Sequence, residues 1–287
     1  MHLLFRLISI LPLRTLHAVG VALARLAFAL SARERQTLEQ NLRYAGYDDP
    51  ELRRAAVDEA GKTLAEMPWL WTRPQEEVVK LVQSIEGEDF ALEALAQGRG
   101  VIYLTPHLGS FEVAAQYAAS HAPITAMYRP PRQGGLEPFI RAGRARGDMR
   151  LATADMKGVF TLLRALRGGE WVGILPDQVP SKGQGEWSEF FGRPAYTMTL
   201  AHRLQKSTNA VVALTFCERL PRGAGYKIHI APLPPPIPGE SPTRQLNRGL
   251  EQLIRRCPAQ YLWSYNRYKV PAGVAPPEST GPSDNCP

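Results

Sequence analysis

The sequence contains few cysteines, and their spacing excludes two kinds of protein. Only Cys217, Cys257 and Cys286 occur among the 287 residues. Because their number is odd and no CxxC or Cys/His spacing accompanies them, they predict neither a disulfide framework nor a structural zinc site. We therefore expect a reducing compartment and no bound metal.

The chain also lacks an extreme composition. Hydrophobic residues make up 44% and charged residues 21%, which argues against a disordered, collagen-like or polytopic membrane chain. Lys and Arg number 34 against 27 Asp and Glu, so the formal net charge is +7. A basic surface suits phospholipid head groups, phosphorylated substrates or nucleic acid. The cations are dispersed and no nucleic-acid-binding signature is present, so we expect no nucleic acid partner.

The N-terminus lacks the uncharged run of 18 or more residues that a simple membrane-spanning helix needs. Its apolar stretch is interrupted by four basic residues, which are Arg6, Arg14, His17 and Arg25. On a helix they share one stripe of about 100°, and apolar side chains fill most of the rest. We interpret residues 1–30 as a membrane-associating helical segment whose arginines face phospholipid phosphates. Pro12 is expected to break or kink it, and a helix packed on the protein core is the alternative.

The remaining patterns predict an α/β fold. Residues 31–95 have helical apolar spacing and form a helical preface. Later, short apolar runs alternate with helical patterns, which predicts a mainly parallel sheet covered by helices. These strand-like runs are Val101 to Thr105, Ile124 to Tyr128, Val172 to Leu175, Val211 to Phe216 and Tyr226 to Ile230. We expect a single domain over residues 31–270 and a flexible, proline-rich tail over 271–287.

One strand-to-helix junction contains a candidate catalytic pair. His107 follows the strand that starts at Val101, and Glu112 falls in the first turn of the next helix. The two side chains can meet only if His107 lies in the loop, and Gly109 and Ser110 permit such a turn. A carboxylate bonded to one imidazole nitrogen leaves the other free to accept a proton, as a general base requires. Amides around Gly109 are candidate donors to an oxyanion.

Two further strand ends carry polar residues. Arg129 follows the strand that ends at Tyr128, and Asp177 and Gln178 follow the strand that ends near Leu175. The carboxyl ends of parallel strands share one edge, where open α/β sheets place their sites. Arg129 suits a phosphate or carboxylate, and Asp177 suits a cation or hydroxyl; a surface charge and a helix cap are the simpler interpretations.

These motifs resemble those of the bacterial lipid A late acyltransferases, within the wider lysophospholipid acyltransferase group. The matching elements are His107-Leu-Gly-Ser-Phe-Glu112, Tyr128-Arg129-Pro130, Arg144, Pro176-Asp177-Gln178, Phe190-Phe-Gly-Arg-Pro-Ala195 and Pro258-Ala-Gln-Tyr-Leu-Trp263. The resemblance covers roughly residues 1 to 270 in consistent order.

The resemblance implies lipid A biosynthesis without metal or redox cofactor. A fatty acyl chain would pass from acyl-acyl carrier protein to a hydroxyl of a lipid A precursor, at the cytoplasmic face of the bacterial inner membrane. His107 and Glu112 would be catalytic, with Glu112 orienting His107. Arg129 and Arg144 would bind phosphate, and Asp177 and Gln178 would also be substrate-binding residues.

Two alternatives remain from the sequence. A glycerophospholipid or other glycolipid O-acyltransferase would use the same His and acid, although such enzymes typically have Asn before the His and Asp at the position of Glu112. A basic, non-enzymatic protein that binds a membrane surface or nucleic acid is the more distant alternative.

Overall fold

The computed structural model describes residues 10–130 and 134–277. The helices are, in chain order, α1 (Leu13–Leu30), α2 (Ala32–Tyr44), α3 (Pro50–Thr72), α4 (Gln75–Val79), α5 (Glu88–Ala96), α6 (Phe111–Ala118), α7 (Glu137–Arg144), α8 (Met156–Arg167), α9 (Leu200–Thr208) and α10 (Pro242–Arg256). The strands are β1 (Val82–Glu86), β2 (Val101–Leu104), β3 (Ile124–Tyr128), β4 (Met149–Thr153), β5 (Trp171–Ile174), β6 (Gly185–Phe190), β7 (Arg193–Met198), β8 (Val211–Arg219) and β9 (Tyr226–Pro232).

Seven of these strands form one sheet in the order β1-β9-β8-β2-β5-β3-β4. The strands from β8 to β4 run parallel to one another, whereas β9 is antiparallel to β8 and β1 is parallel to β9. β6 and β7 form a separate antiparallel hairpin. The structure therefore confirms the predicted α/β class, the mainly parallel sheet and the apolar N-terminal helix.

The five predicted strands are present, but the sequence interpretation missed β1, β4, β6 and β7. β1 (Val82–Glu86) corrects the expectation that the apolar spacing stays helical to residue 95, because these residues pair with β9. At the other end of the chain, residues 271–277 of the expected tail contain no helix or strand, and the Trp187 indole donates to the carbonyl of Ala275 at 2.9 Å. Residues 278–287 of that tail lie outside the described residues.

The side chains of successive strand residues point to opposite faces of the sheet, so the hydrophobic core has one part on each face. Ile102 and Leu104 of β2 point to the side covered by α2, α8, α9 and α10. Val101 and Tyr103 point to the other side, where α5 packs. Since successive side chains of a strand face opposite ways, both faces of this sheet are apolar and covered, as a parallel sheet requires.

α1 packs against α3 through two glycines. A Cβ on Gly20 would lie 2.5 Å from the carbonyl oxygen of Gly61, and a Cβ on Gly61 would lie closer still to that of Gly20. Such a close backbone approach admits only glycine at both positions. Pro12 precedes the helix, so the expected break falls there.

The basic residues of α1 form hydrogen bonds with other parts of the protein. His17 is buried and bonds Glu66 of α3, and Arg25 makes two hydrogen bonds of 2.7 Å to Asp58. Arg14 donates to the carbonyl oxygen of Arg222. The side chain of Arg25 is nonetheless 61% exposed, so its expected contact with phospholipid phosphates stays a prediction. Arg6 lies outside the described residues.

The outward face of α1 is uncharged and apolar. Val19, Leu23, Leu26 and Leu30 are 46 to 79% exposed. At 100° per residue they fall within about 60° of one another. By length and composition, α1 is also the helix of the described chain that could cross a bilayer.

A buried charge cluster joins α1, α3 and the sheet. Glu66 bonds His17 of α1, and Arg219 of β8 donates to both oxygens of Glu66 at 2.7 Å. Burial alone would raise the pKa of Glu66, but the charge of Arg219 and hydrogen bonds from His17 and Arg219 lower it to about 2. Glu66 is therefore an ionised carboxylate whose partners compensate for its burial.

Candidate active site

The loop after β2 is held by backbone hydrogen bonds from two other parts of the chain. The N–H of Gly109 donates to the carbonyl of Gln260 at 3.0 Å, and the N–H of Ser110 donates to that of Cys217 at 2.8 Å. Gly109 has a φ of +63°, and a Cβ there would collide with the Cys217 carbonyl oxygen. Only glycine fits this turn, which places His107 at the carboxyl edge of the sheet.

Asp177 holds the imidazole of His107. Its Oδ1 lies 2.8 Å from Nδ1 of the ring, and its Oδ2 accepts the backbone N–H of His107 at 2.8 Å. Burial alone would raise the pKa of Asp177, which is only 2% exposed, but the charge and hydrogen bonds of His107 lower it. An ionised carboxylate at Nδ1 favours a proton on that nitrogen and leaves the lone pair on Nε2.

Strand register explains why these two residues meet. β2 and β5 are neighbours, and Leu104 is paired with Ile174. His107 and Asp177 each follow that pair by three residues, so the two loops bring their side chains together. Two residues seventy positions apart become partners because both continue from adjacent parallel strands.

The position of Glu112 corrects the expected His107–Glu112 contact. Among the described residues, Glu112 bonds Arg144 and no hydrogen bond joins it to His107. Glu112 lies one residue into α6, where its side chain points toward α7, and Nε of Arg144 donates to it at 2.8 Å. The ring next to His107 is that of Phe111, at 5.1 Å between centroids.

Arg144 is held in place by rings as well as by Glu112. Its guanidinium carbon lies 5.4 Å from the ring centroid of Trp71 and 5.6 Å from that of Tyr128. Glu112 is 6% exposed at its side chain and Arg144 is 25% exposed. This pair is therefore a partly shielded ion pair, with a guanidinium whose unused N–H groups can still reach a ligand.

The edge of the sheet opens into a cavity of about 670 Å³. His107, Glu112, Arg129, Arg144 and Gln178 all line it, whereas Asp177 lies behind the imidazole. The amide nitrogen of Gln178 is 3.3 Å from Nε2 of His107, which places this nitrogen on the cavity side of the ring. The structure thus brings five of the six predicted site residues to one cavity and places the sixth in contact with His107.

Most of the cavity wall is apolar. On one side it is formed by the small residues Ala114, Ala115 and Ala118 of α6, and on the other by side chains of α8 and α9. Arg129 is exposed at the rim and follows β3 directly. An apolar cavity whose polar groups gather at one edge suits a ligand with a hydrocarbon chain and a reactive polar end.

Of the amides around Gly109 that the sequence offers as oxyanion donors, those of Gly109 and Ser110 already bond backbone carbonyls. The next two amides, of Phe111 and Glu112, form the start of α6 and have no hydrogen-bond acceptor among the described residues. A helix N-terminus concentrates such free donors beside His107.

Sequence reasoning matched the segment Pro258 to Trp263 without assigning it a role. Besides the Gly109 contact, the N–H of Leu262 donates to the His107 carbonyl at 3.0 Å, and the Gln260 amide bonds both backbone groups of Arg219. This segment therefore positions the His107 loop. No signal in the local sequence spacing reveals it, since the contact depends on tertiary structure.

The chain is similar in sequence to known proteins. The model of the bacterial lipid A biosynthesis acyltransferase family matches residues 2–270. The lipid A biosynthesis lauroyltransferase of Escherichia coli K12 is 26% identical over 274 residues, which cover 92% of this chain and 89% of the relative. The lipid A biosynthesis palmitoleoyltransferase of the same organism is 27% identical over 213 residues, covering 73% of this chain and 69% of the relative. The family model extends over nearly the whole chain and includes all the cavity elements, so the protein belongs to the bacterial lipid A biosynthesis acyltransferases.

Proposed function

We propose that this acyltransferase moves a fatty acyl chain from acyl-acyl carrier protein to a hydroxyl of a lipid A precursor, at the cytoplasmic face of the bacterial inner membrane. The observation that carries this proposal is the imidazole of His107, bonded through Nδ1 to a buried carboxylate and directed through Nε2 into an apolar cavity. The family and the two relatives supply the lipid A context.

His107 acts as the general base. The acceptor hydroxyl binds at Nε2, beside the Gln178 amide. Nε2 takes its proton while the hydroxyl oxygen attacks the thioester carbonyl carbon. The tetrahedral intermediate then collapses, the carbon–sulfur bond breaks, and the imidazolium returns the proton to the leaving thiolate. Asp177 stabilises the imidazolium between these two transfers, and a base of this kind contributes about 10² to 10⁴ in rate.

The free amides of Phe111 and Glu112 are the proposed donors to the oxyanion. They start α6 beside His107, and donors fixed before the reaction need no rearrangement as charge develops. Glu112 pairs with Arg144 and holds its guanidinium in the cavity wall. Arg129 and Arg144 are the proposed ligands of phosphate on the acceptor or on the carrier's phosphopantetheine arm.

The apolar face of α1 is the proposed contact with the membrane. Its four large exposed side chains carry no charge, while the basic residues of the helix are bonded to α3 and to the Arg222 carbonyl. Burial of apolar area in the acyl region favours attachment at about 25 cal/mol per Å². In this arrangement α1 is fixed to the catalytic domain and brings the cavity to the lipid surface.

The proposal is tested with purified protein, one acyl-acyl carrier protein and two acceptors, a lipid A precursor and a lysophospholipid. We expect the mass of the lipid A precursor to increase by one acyl chain, with no product from His107→Ala. Acylation of the lysophospholipid alone would support the glycerophospholipid alternative. Acyl transfer to neither acceptor contradicts the proposed function.

A further inference from the structure

α8 and α9 present a surface with five exposed cations. We define the α8–α9 surface by two exposed apolar residues and five exposed cations of these helices, which are Met156, Phe160, Lys157, Arg164, Arg167, Arg203 and Lys206. Neither helix contains Asp or Glu; the exposed Asp155 directly precedes α8, where it caps the helix through the N–H of Gly158 and interacts electrostatically with Lys157. In the part of the chain that the structure describes, none of the five cations forms an ion pair.

This surface borders the cavity that contains His107. Met156 of α8 and Arg203 of α9 are exposed and also line the cavity wall. α8 and α9 pack against each other, and Val159, Leu163 and Leu204 form the apolar wall beneath them. A partner on this surface would therefore stand beside the cavity that contains His107.

The arrangement of the surface fits a protein better than a bilayer. Met156 and Phe160 are 65% and 63% exposed, and Lys157 and Arg164 lie within the same stripe of about 100° on α8. Apolar and aromatic side chains surrounded by arginines are typical of protein interfaces. The outward face of α1, in contrast, is apolar and uncharged, as a hydrocarbon environment requires.

We propose that the α8–α9 surface docks an acidic carrier protein, which brings its acyl thioester to His107. The inference rests on the proposed function and adds the place at which the donor binds. Cations without ion-pair partners attract an acidic protein over distances of about 10 Å, and they increase its association rate most strongly at low salt.

The test uses the full chain with three charge reversals, Lys157→Glu, Arg164→Glu and Lys206→Glu. Arg203 is left unchanged because it lines the cavity. The matched control reverses three exposed cations elsewhere, Arg33→Glu, Arg54→Glu and Lys80→Glu, with the same change in net charge. Two donors with the same acyl chain are compared, the acyl carrier protein thioester and the small neutral N-acetylcysteamine thioester. Binding of fluorescently labelled acyl carrier protein is measured separately.

We expect the α8–α9 variant to lose roughly tenfold or more in kcat/KM for the carrier thioester and in carrier affinity, while activity with the small thioester stays at the parent level. The control variant should match the parent with both donors. Equal losses with both donors, equal losses in the control, or unchanged carrier binding overturns the proposal. Loss of binding to anionic vesicles with unchanged carrier binding assigns the surface to the membrane and also overturns it. If the parent transfers no acyl chain at all, the proposed function fails, and the binding comparison still decides whether the carrier docks here.

Discussion

Replacing Asp177 by Asn tests the role of this buried carboxylate, because the change keeps its size. Asp177 accepts two hydrogen bonds of 2.8 Å from His107, one from the backbone N–H and one from Nδ1. An amide has one acceptor oxygen, so the Asp177→Asn side chain can satisfy only one of these donors. If the oxygen keeps the backbone N–H, the amide NH₂ faces Nδ1 and favours the tautomer whose Nε2 is already protonated.

The expected loss follows from these contacts. A hydrogen bond to a charged group contributes about 1.5 to 3 kcal/mol, which corresponds to a factor of roughly 10 to 150 in rate. Asp177 is 2% exposed, so water does not replace the lost partner or screen the lost charge. Because the amide also favours the His107 tautomer that cannot act as a base, we expect Asp177→Asn to lower kcat by about 10² to 10⁴ in total.

The assay is steady-state acyl transfer with saturating donor and acceptor. Asp49→Asn is the control, since Asp49 caps α3 and Asn is an equally good cap. In a His107→Ala background, Asp177→Asn should cost almost nothing further, because no base remains to orient. A kcat within twofold of the parent, or a full additional loss in the His107→Ala background, would refute this reasoning.

Four further predictions concern the buried charge cluster, the apolar face of α1 and Arg144. Glu66→Gln should lower the free energy of unfolding by about 3 to 5 kcal/mol in denaturant titrations, since it weakens the pairing of the buried Arg219. The lowered pKa of Glu66 contributes stability that is complete above pH 4.5 and is lost as the pH falls toward 2, so a stability that stays flat over this interval contradicts the ionised Glu66. Leu23→Ser with Leu26→Ser should move the protein from sedimenting vesicles to the supernatant without changing its melting temperature, and a variant that still sediments argues against lipid contact. Arg144→Lys keeps the charge but loses the planar fork, so kcat/KM should fall about tenfold or more when donor and acceptor are varied separately; kinetics like the parent's on both substrates would make this arginine a surface charge.

Four of the five strands that the sequence predicts have an unbroken apolar pattern. β2, β3, β5 and β8 are buried on both faces of the sheet, so their sequences are apolar runs bounded by turn residues. β4 and β6 contain exposed positions and charged residues, which conceal them. Their strand structure depends on pairing with distant residues rather than on local preference.

The sequence predicts which residues belong to the candidate site, but it does not predict which carboxylate contacts His107. The local sequence pattern places His107, Arg129 and Asp177 after the ends of predicted strands. The partner of His107 depends on β5 lying beside β2, and β3 and β4 intervene between them in the chain. Glu112 is nearer in sequence, but the direction of α6 turns its carboxylate toward Arg144.

A general base at Nε2 of His107 requires the proton of the neutral ring to lie on Nδ1, and ¹⁵N NMR of the imidazole ring measures which nitrogen carries it. Comparison with His107→Gln identifies the His107 signals among those of the six histidines. We expect the neutral ring of the parent and of Glu112→Gln to carry its proton on Nδ1, and that of Asp177→Asn to shift toward a proton on Nε2. A parent ring protonated on Nε2, or a tautomer that changes in Glu112→Gln and not in Asp177→Asn, would contradict the assignment of Asp177 as the residue that prepares His107 to act as a base.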